Sequence, residues 1–191
     1  MKKLIYTIAF SVIAISARAE GFYFGAGLNQ SESNQHTYSS LTYTKYDDKD
    51  IGYKLLIGYD YNDRIAVEAI YNDLGQTIAT VNTPLTAETD VQSVALAAVI
   101  KSDPINNFTF FGKIGQNLLH AHDEISDGTG NGVTEMNMYY GLGVSIATNE
   151  GFDWRLEYEE FGTAGGTDSA RSDRPDEVDP TNISISVIKK F

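Results

Sequence analysis

The sequence contains no cysteine among its 191 residues and only four prolines. The lack of cysteine excludes a disulfide scaffold, a zinc site built on thiolates and a cysteine nucleophile. Basic residues are also few: 14 lysines and arginines stand against 26 aspartates and glutamates, so the formal net charge is -12 at pH 7. Nucleic-acid binding needs a basic surface that displaces counterions, so we expect no nucleic-acid partner.

Aromatic residues and glycine are plentiful in the same sequence. Aromatic side chains make up 12% of the chain, and there are 17 glycines. A disordered acidic chain would be poor in aromatic residues, so the excess of negative charge does not indicate an unfolded protein. The length suits one folded domain.

The first segment has the features of a secretory signal peptide. Two lysines follow the initiator methionine, residues 4–15 are almost wholly apolar, and Ala17-Arg18-Ala19 gives a small-x-small cleavage pattern. The alternative is an anchoring helix, but this apolar run is too short to span about 30 Å of hydrocarbon comfortably. We predict a signal peptide over residues 1–19 and one mature domain over residues 20–191.

The mature chain alternates with a period of two. Apolar residues alternate with small or polar ones in eight segments, which are residues 22–29, 51–60, 65–72, 93–100, 108–115, 139–146, 154–159 and 182–191. This alternation is the signature of β-strands. The valine- and alanine-rich residues 91–100 could also be drawn as a helix, but the turn signals on both sides favour a strand.

The connections between these segments alternate in length. Three are short and turn-like (residues 62–63, 102–107 and 148–151), and four are long and polar (residues 30–50, 75–90, 120–132 and 162–180). All four prolines fall in these connections, where no ladder hydrogen bond is lost. Short turns at one end and long loops at the other are typical of an outer-membrane barrel.

The chemistry of the two strand faces decides which face points inward. One face carries aromatic and aliphatic residues. The other carries small residues together with six charged ones: Lys54, Glu68, Lys113, Arg155, Glu157 and Glu159. Mid-strand charges would be costly against lipid, whereas inside a narrow barrel they can pair. We therefore predict an all-β fold, an eight-stranded antiparallel up-and-down transmembrane β-barrel. A soluble barrel with its apolar face inward is the alternative.

Three segments resemble strands of known small barrels. Residues 67–75 are similar to their third strand, residues 154–159 to their seventh, and residues 183–191 to their terminal strand, which ends in phenylalanine. With the signal peptide and the loop pattern, the whole mature chain resembles the OmpA/OmpX-type outer-membrane β-barrel superfamily, often called porin-like. The resemblance implies a Gram-negative outer-membrane location, with outer-membrane lipid and lipopolysaccharide as neighbours.

The resemblance also implies a role for the last residue. In the family, the terminal pattern is the recognition signal for the barrel assembly machinery, so Phe191 is predicted to be part of that signal. Lys189 departs from the pattern, because an aromatic or apolar residue is usual there. We expect the barrel to be a monomer.

The charged residues of the inward face are the candidate site. An eight-stranded barrel leaves room for little more than its own side chains. We therefore expect Lys54, Glu68, Lys113, Arg155 and Glu157 to form a lumen ion-pair network with a structural role. The alternative is a narrow-channel porin that passes small ions.

The long loops and the histidines complete the functional hypotheses. The loops are acidic, which favours a structural or cell-surface role in membrane integrity, adhesion or host-facing defence, with a host or phage ligand at the loops. A second alternative is a lipid-modifying enzyme that uses a histidine, either His36, His120 or His122. The His-x-Ser-Asn pattern of the lipid A deacylases is absent, so we expect no enzyme activity, no cofactor and no metal. The role of His120 and His122 stays open.

Overall fold

The computed structural model describes residues 21–36, 43–47, 49–81, 86–125, 130–148, 151–165 and 177–191. The predicted signal peptide, residues 1–19, lies outside the described residues. The described strands are β1 (Phe22–His36), β2 (Tyr43–Asp47), β3 (Lys49–Asn62), β4 (Ile65–Val81), β5 (Thr86–Lys101), β6 (Phe108–Ile125), β7 (Gly130–Ala147), β8 (Phe152–Glu160) and β9 (Glu177–Lys190). No helix in this part of the chain has the length and apolarity to cross a membrane.

The strands form one closed antiparallel ring. Each strand from β3 to β8 pairs with the next in sequence, and β1 pairs with both β3 and β9, which closes the barrel. The short strand β2 pairs with residues 78–81 of β4, and β3 pairs with residues 65–73 of the same strand. β2 and β3 therefore occupy one position in the wall, one above the other. The wall therefore has eight positions, and the predicted eight-stranded up-and-down barrel is confirmed, including a strand over residues 91–100.

The two faces of the wall are oriented as the sequence pattern predicts. In β8, exposed and buried residues alternate without interruption. Large apolar residues face outward, among them Ile51 at 71% and Leu142 at 69% exposure, whereas Lys54 and Glu68 are fully buried inside. Because the apolar face is outside, the soluble-barrel alternative is wrong.

The apolar exterior has the height of a membrane band. On β6 the outward apolar residues run from Phe108 to Leu118, and the next outward residue is His120. About ten steps of ~3.3 Å along a strand tilted by roughly 40° rise by about 25 Å. This is the height of the apolar band on outer-membrane barrels.

The two ends of the barrel differ. At one end, called the turn end here, residues 63–64, 102–107 and 148–151 connect neighbouring strands, and these short turns were predicted. At the opposite end, called the loop end, the strands run further than expected. Residues 75–90 and 120–132, predicted as loops, lie largely in β4 to β7. The prediction failed because polar residues outside the apolar band still pair through backbone hydrogen bonds.

One proline also lies elsewhere than predicted. Pro180 is inside β9, opposite Ser33 of β1, and not in a connection. Its carbonyl accepts a hydrogen bond from the backbone N–H of Phe161 at 3.3 Å. A strand can hold this proline because the carbonyl still takes part in the ladder.

Candidate functional site: the charged lumen

Four of the eight wall positions supply the buried charges at the middle of the lumen. Lys54 projects inward from β3, Glu68 from β4 and Lys113 from β6. Strand β8 alone adds three charged residues, because Arg155, Glu157 and Glu159 occupy successive inward positions. These six residues, named the lumen charge cluster, are each at most 4% exposed.

The lumen charge cluster is an interconnected set of ion pairs. Lys54 Nζ lies 2.9 Å from Glu157 Oε2 and 2.6 Å from Glu159 Oε1. Lys113 Nζ lies 2.7 Å from Glu68 Oε2 and 3.8 Å from Glu159 Oε1, and it also pairs with Glu157. Arg155 Nη1 lies 2.5 Å from Glu68 Oε1. Three cations thus face three carboxylates, and a buried charge is tolerated only when it is paired in this way.

Two tyrosines donate further hydrogen bonds to the carboxylates of the cluster. The Tyr23 hydroxyl donates a hydrogen bond to Glu68 Oε1 at 2.7 Å, and the Tyr139 hydroxyl donates to Glu159 Oε1. The Arg155 guanidinium carbon lies 5.3 Å from the ring centroid of Tyr23 and 4.9 Å from that of Phe111. Such contacts between a cation and an aromatic face are favourable.

The five predicted network residues come together, but the predicted set was incomplete. Glu159 was assigned to the same face and left out of the network, and Tyr23 and Tyr139 were not singled out. The strand period carried the signal, since Tyr23 lies between two outward-facing phenylalanines and must therefore point inward.

Small residues opposite the charges make room for them. Gly58 lies directly opposite Glu68, and the Tyr23 ring occupies the space that a side chain on Gly58 would need. Gly143 lies opposite Glu157, and the Phe111 ring occupies the equivalent space there. Large rings and long charged chains fit inside this narrow barrel because the facing positions lack side chains.

One ion pair crosses the whole lumen. Three wall positions separate β4 from β8 in either direction around the ring, so the two strands lie on opposite walls. The pair formed by Glu68 and Arg155 joins these walls. At this level the interior is therefore filled by side chains.

The turn end of the lumen is open and polar. A cavity of about 340 Å³ lies there, and its inner lining includes Phe111 and Arg155. Two ion pairs flank it: Lys101 Nζ lies 2.5 Å from Asp60 Oδ1, and Lys190 Nζ lies 2.6 Å from Asp153 Oδ2. The cavity ends where the lumen charge cluster begins.

The loop end of the lumen is filled by apolar residues together with small polar ones such as Ser31, Ser93 and Asn117. Leu74, Val91, Leu119, Phe161 and Val178 are all buried beyond the cluster. The Phe161 ring packs 5.6 Å from the ring of Tyr139, centroid to centroid. The charged middle of the barrel therefore lies between an open polar mouth and a layer of buried side chains.

The C-terminal strand is anchored against β1 at the turn end. The backbone N–H of Phe191 donates to the Phe22 carbonyl at 3.1 Å, and the Phe191 ring stacks on Phe24 with centroids 5.8 Å apart. Lys189 Nζ lies 4.3 Å from the ring centroid of Phe152 on the neighbouring strand. This contact gives the unusual lysine a cation–π partner. The role of Phe191 in assembly stays a prediction.

Two of the three histidines project away from the lumen. His120 and His122 are on the outer face of β6, just beyond the apolar band, and His36 is the last residue of β1. In the residues that the structure describes, no group of three or more histidine, cysteine or acidic side chains is arranged to hold a metal ion.

A closed ring of eight antiparallel strands with an apolar exterior and a charged, filled interior is a transmembrane β-barrel of the outer-membrane type. The family model of the OmpA-like transmembrane domain matches residues 17–190. The chain belongs to this family, so the predicted superfamily and the predicted outer-membrane, cell-surface location are confirmed.

Solved structures share this fold at low sequence identity. Neisserial surface protein A matches with a TM-score of 0.60 and 17% identity, over 90% of this chain and 98% of that protein. The attachment invasion locus protein Ail of Yersinia pestis matches with a TM-score of 0.53 and 17% identity, over 89% and 99%. The outer membrane protein AlkL matches with a TM-score of 0.52 and 14% identity, over 92% and 94%. Among curated protein sequences, none matches significantly.

Proposed function

We propose that the protein contacts a partner molecule at the cell surface through the wall that extends beyond the membrane at the loop end. We place the contact on the part of this wall that β4 to β7 build, which is separate from the extension formed by β1 and β9. Pairing of β4 with β5 continues to Thr80 and Thr86, and pairing of β6 with β7 continues to Glu124 and Gly130. These paired residues lie beyond the apolar band, and the short turns of barrels of this type face the periplasm, so the extension projects outside the cell.

The height of β7 above its ladder with β8 is the observation that carries the proposal. Pairing between β7 and β8 ends at Tyr140 and Glu160, whereas β7 continues to Gly130. Within the described residues, positions 130–139 of β7 form no rung with β8. Strand β7 therefore rises past its ladder with β8, and its outward side chains in this segment face the medium beyond the membrane, where another protein can contact them.

The charge of the chain favours a protein partner over a polyanion. Ail has been crystallised with the heparin analogue sucrose octasulfate. The present chain has a net charge of -12, and Glu88 and Asp90 lie on the outer face of the extension. Negative charge repels a sulfated polysaccharide, so we infer a neutral or basic protein surface as the partner.

Adhesion of whole cells tests the proposal. The full-length chain is expressed in Gram-negative cells that lack their own adhesins, and attachment to cultured mammalian cells is counted. In the test variant, short turns replace residues 77–89 and 121–133, which removes the β4 to β7 part of the extension and leaves the apolar band intact. We expect attachment to fall to the level of cells without the protein.

Two controls make the adhesion result readable. The shortened barrel must still migrate faster in a detergent gel before heating than after it, which shows that the barrel is closed. A variant with Asp103→Asn, at the exposed turn end, should attach as the wild type does. Undiminished attachment by the shortened, folded barrel would refute the proposed function.

The lumen charge cluster has a structural role in this proposal. A diffusive pore is disfavoured by the ion pair that joins opposite walls and by the buried side chains that fill the lumen beyond it. The proposal includes no catalytic step.

A further inference from the structure

We infer that His120 and His122 form a surface site for a divalent transition-metal ion such as zinc. The inward neighbours of these residues, Leu119 and Ala121, are fully buried, so both imidazoles project from the outer face of β6. The two rings are nearly parallel, with an interplanar angle of 7° and centroids 6.5 Å apart. The inference is independent of the proposed adhesion function.

The distance between the two residues suits chelation of one ion. Residues two apart on a strand are separated by about 6.6 Å. A zinc ion binds imidazole nitrogen at about 2.0–2.1 Å, so the two donor nitrogens must approach each other to a little over 3 Å. Rotation about the soft ring torsions of histidine brings the rings together, and the strand does not have to move.

A hydrogen bond already orients one of the two rings. His120 Nδ1 lies 2.8 Å from the Thr134 hydroxyl oxygen on β7. This contact leaves His120 Nε2 free to bind a metal. Metal-binding histidines commonly engage their second ring nitrogen in a hydrogen bond of this kind, which sets the ring orientation.

The position that faces His122 on β7 has no side chain. Gly132 lies opposite His122, and a Cβ on Gly132 would come within 3.2 Å of His122 Nδ1 and 3.5 Å of His120 Cε1. A larger residue at this position would crowd both imidazoles. The glycine therefore leaves space for an ion and its water ligands beside the rings.

The neighbouring charges attract a cation. Asp90 lies opposite His122 on β5, and its Oδ1 accepts a hydrogen bond from Gln76 Nε2 at 2.7 Å. Glu88 lies two positions further along the same outer face and is exposed. The carboxylates raise the local cation concentration, while the two imidazoles are the only protein ligands that the described side chains bring together here. Water fills the remaining positions, so the bound ion keeps open coordination sites.

Calorimetry on the refolded full-length barrel tests the site. Zinc chloride is titrated into the protein in a non-ionic detergent, with magnesium chloride as the comparison ion. We expect one zinc per barrel and no magnesium, because imidazole prefers zinc and magnesium prefers oxygen ligands. In His120→Gln or His122→Gln, zinc affinity should fall by about tenfold or more.

Matched variants separate chelation from general surface effects. His36→Gln removes the third histidine and should leave zinc affinity unchanged, while Gly132→Val should weaken it by crowding the rings. Each variant is first checked for the folded band in an unheated gel. Proton NMR supplies an independent measurement, because zinc should shift the imidazole resonances of His120 and His122 and not that of His36. Two results would overturn the inference. One is a wild-type barrel that does not bind zinc stoichiometrically, and the other is wild-type zinc affinity in a variant that carries both His120→Gln and His122→Gln.

Discussion

Removal of one charge from the lumen should destabilise the barrel far more than removal of a surface charge. Replacement of Arg155 by methionine keeps much of the packing against Tyr23 and Phe111 but leaves three carboxylates with two cations. Loss of one partner from a buried ion pair costs about 3–5 kcal/mol, because the remaining charge stays buried without compensation. We expect Arg155→Met to lower the free energy of unfolding by an amount in this range.

A second substitution, at the partner residue Glu68, tests whether the two buried charges are coupled. Glu68→Gln retains an amide oxygen that can accept the Tyr23 hydrogen bond, and it leaves three cations with two carboxylates. The double variant has two charges of each sign and is again neutral. The free energy of unfolding that the double variant loses should therefore be smaller than the sum of the two single losses. The difference should be about 0.5–3 kcal/mol, the range of coupling between contacting residues.

A surface pair on the same barrel is the control. Arg64 Nη2 lies 2.8 Å from Asp103 Oδ2, and their side chains are 68% and 73% exposed. Exposed ion pairs contribute about 0–1 kcal/mol, so Arg64→Met should change stability by no more than that. The two arginines thus differ in burial, and both belong to close ion pairs.

Denaturant titration in lipid vesicles measures these losses. Trp154 is the only tryptophan in the chain, and it lies on the lipid-facing exterior at 48% exposure, so its fluorescence reports transfer between lipid and water. The midpoint and slope of the transition give the free energy of unfolding. A loss below about 1 kcal/mol for Arg155→Met, or strictly additive losses in the double variant, would refute the assignment of a coupled buried network.

Three further predictions concern conductance, packing and assembly. Replacement of Glu68 and Lys113 together by alanine should raise conductance in planar bilayers above that of the wild type, because it removes side chains that fill the lumen; unchanged conductance would contradict that role. Gly58→Ala should lower the free energy of unfolding by about 1–3 kcal/mol in denaturant titrations, because the added Cβ would meet the Tyr23 ring. Gly112→Ala is the control and should cost less than about 1 kcal/mol, because the atom nearest to its added Cβ is 3.6 Å away. Phe191→Ala should lower the fraction of chain that reaches the folded, heat-modifiable form in the outer membrane, and an equal fraction would remove this residue from the assembly signal.

The orientation of the wall was predictable because lipid and lumen impose opposite chemistry on alternate residues. Once Trp154, Leu156 and Tyr158 face lipid, Arg155, Glu157 and Glu159 must face inward. This assignment of the two faces does not depend on contacts between residues that are far apart in sequence. The period alone therefore identifies the wall positions that can carry the cluster.

The pairing inside the lumen could not be predicted in the same way. Lys54 meets Glu157 across a sequence separation of 103 residues, and that contact depends on strand register and on the closure of the ring. Tyr23 and Tyr139 were missed because tyrosine also suits the lipid interface. The extent of the strands was misjudged because polar residues beyond the membrane band resemble loops in composition while their backbones still pair.

The ion pair between opposite walls has a consequence for how the barrel is made. Glu68 and Arg155 are 87 residues apart in sequence and are brought together only by a complete circle of strands. We expect the six charges of the cluster to keep their water while the circle is open and to lose it when β1 and β9 meet. The last backbone ladder and the neutralisation of the interior therefore form in one event, so a chain with an incorrect strand order retains unpaired charge and cannot become a dry, closed cylinder.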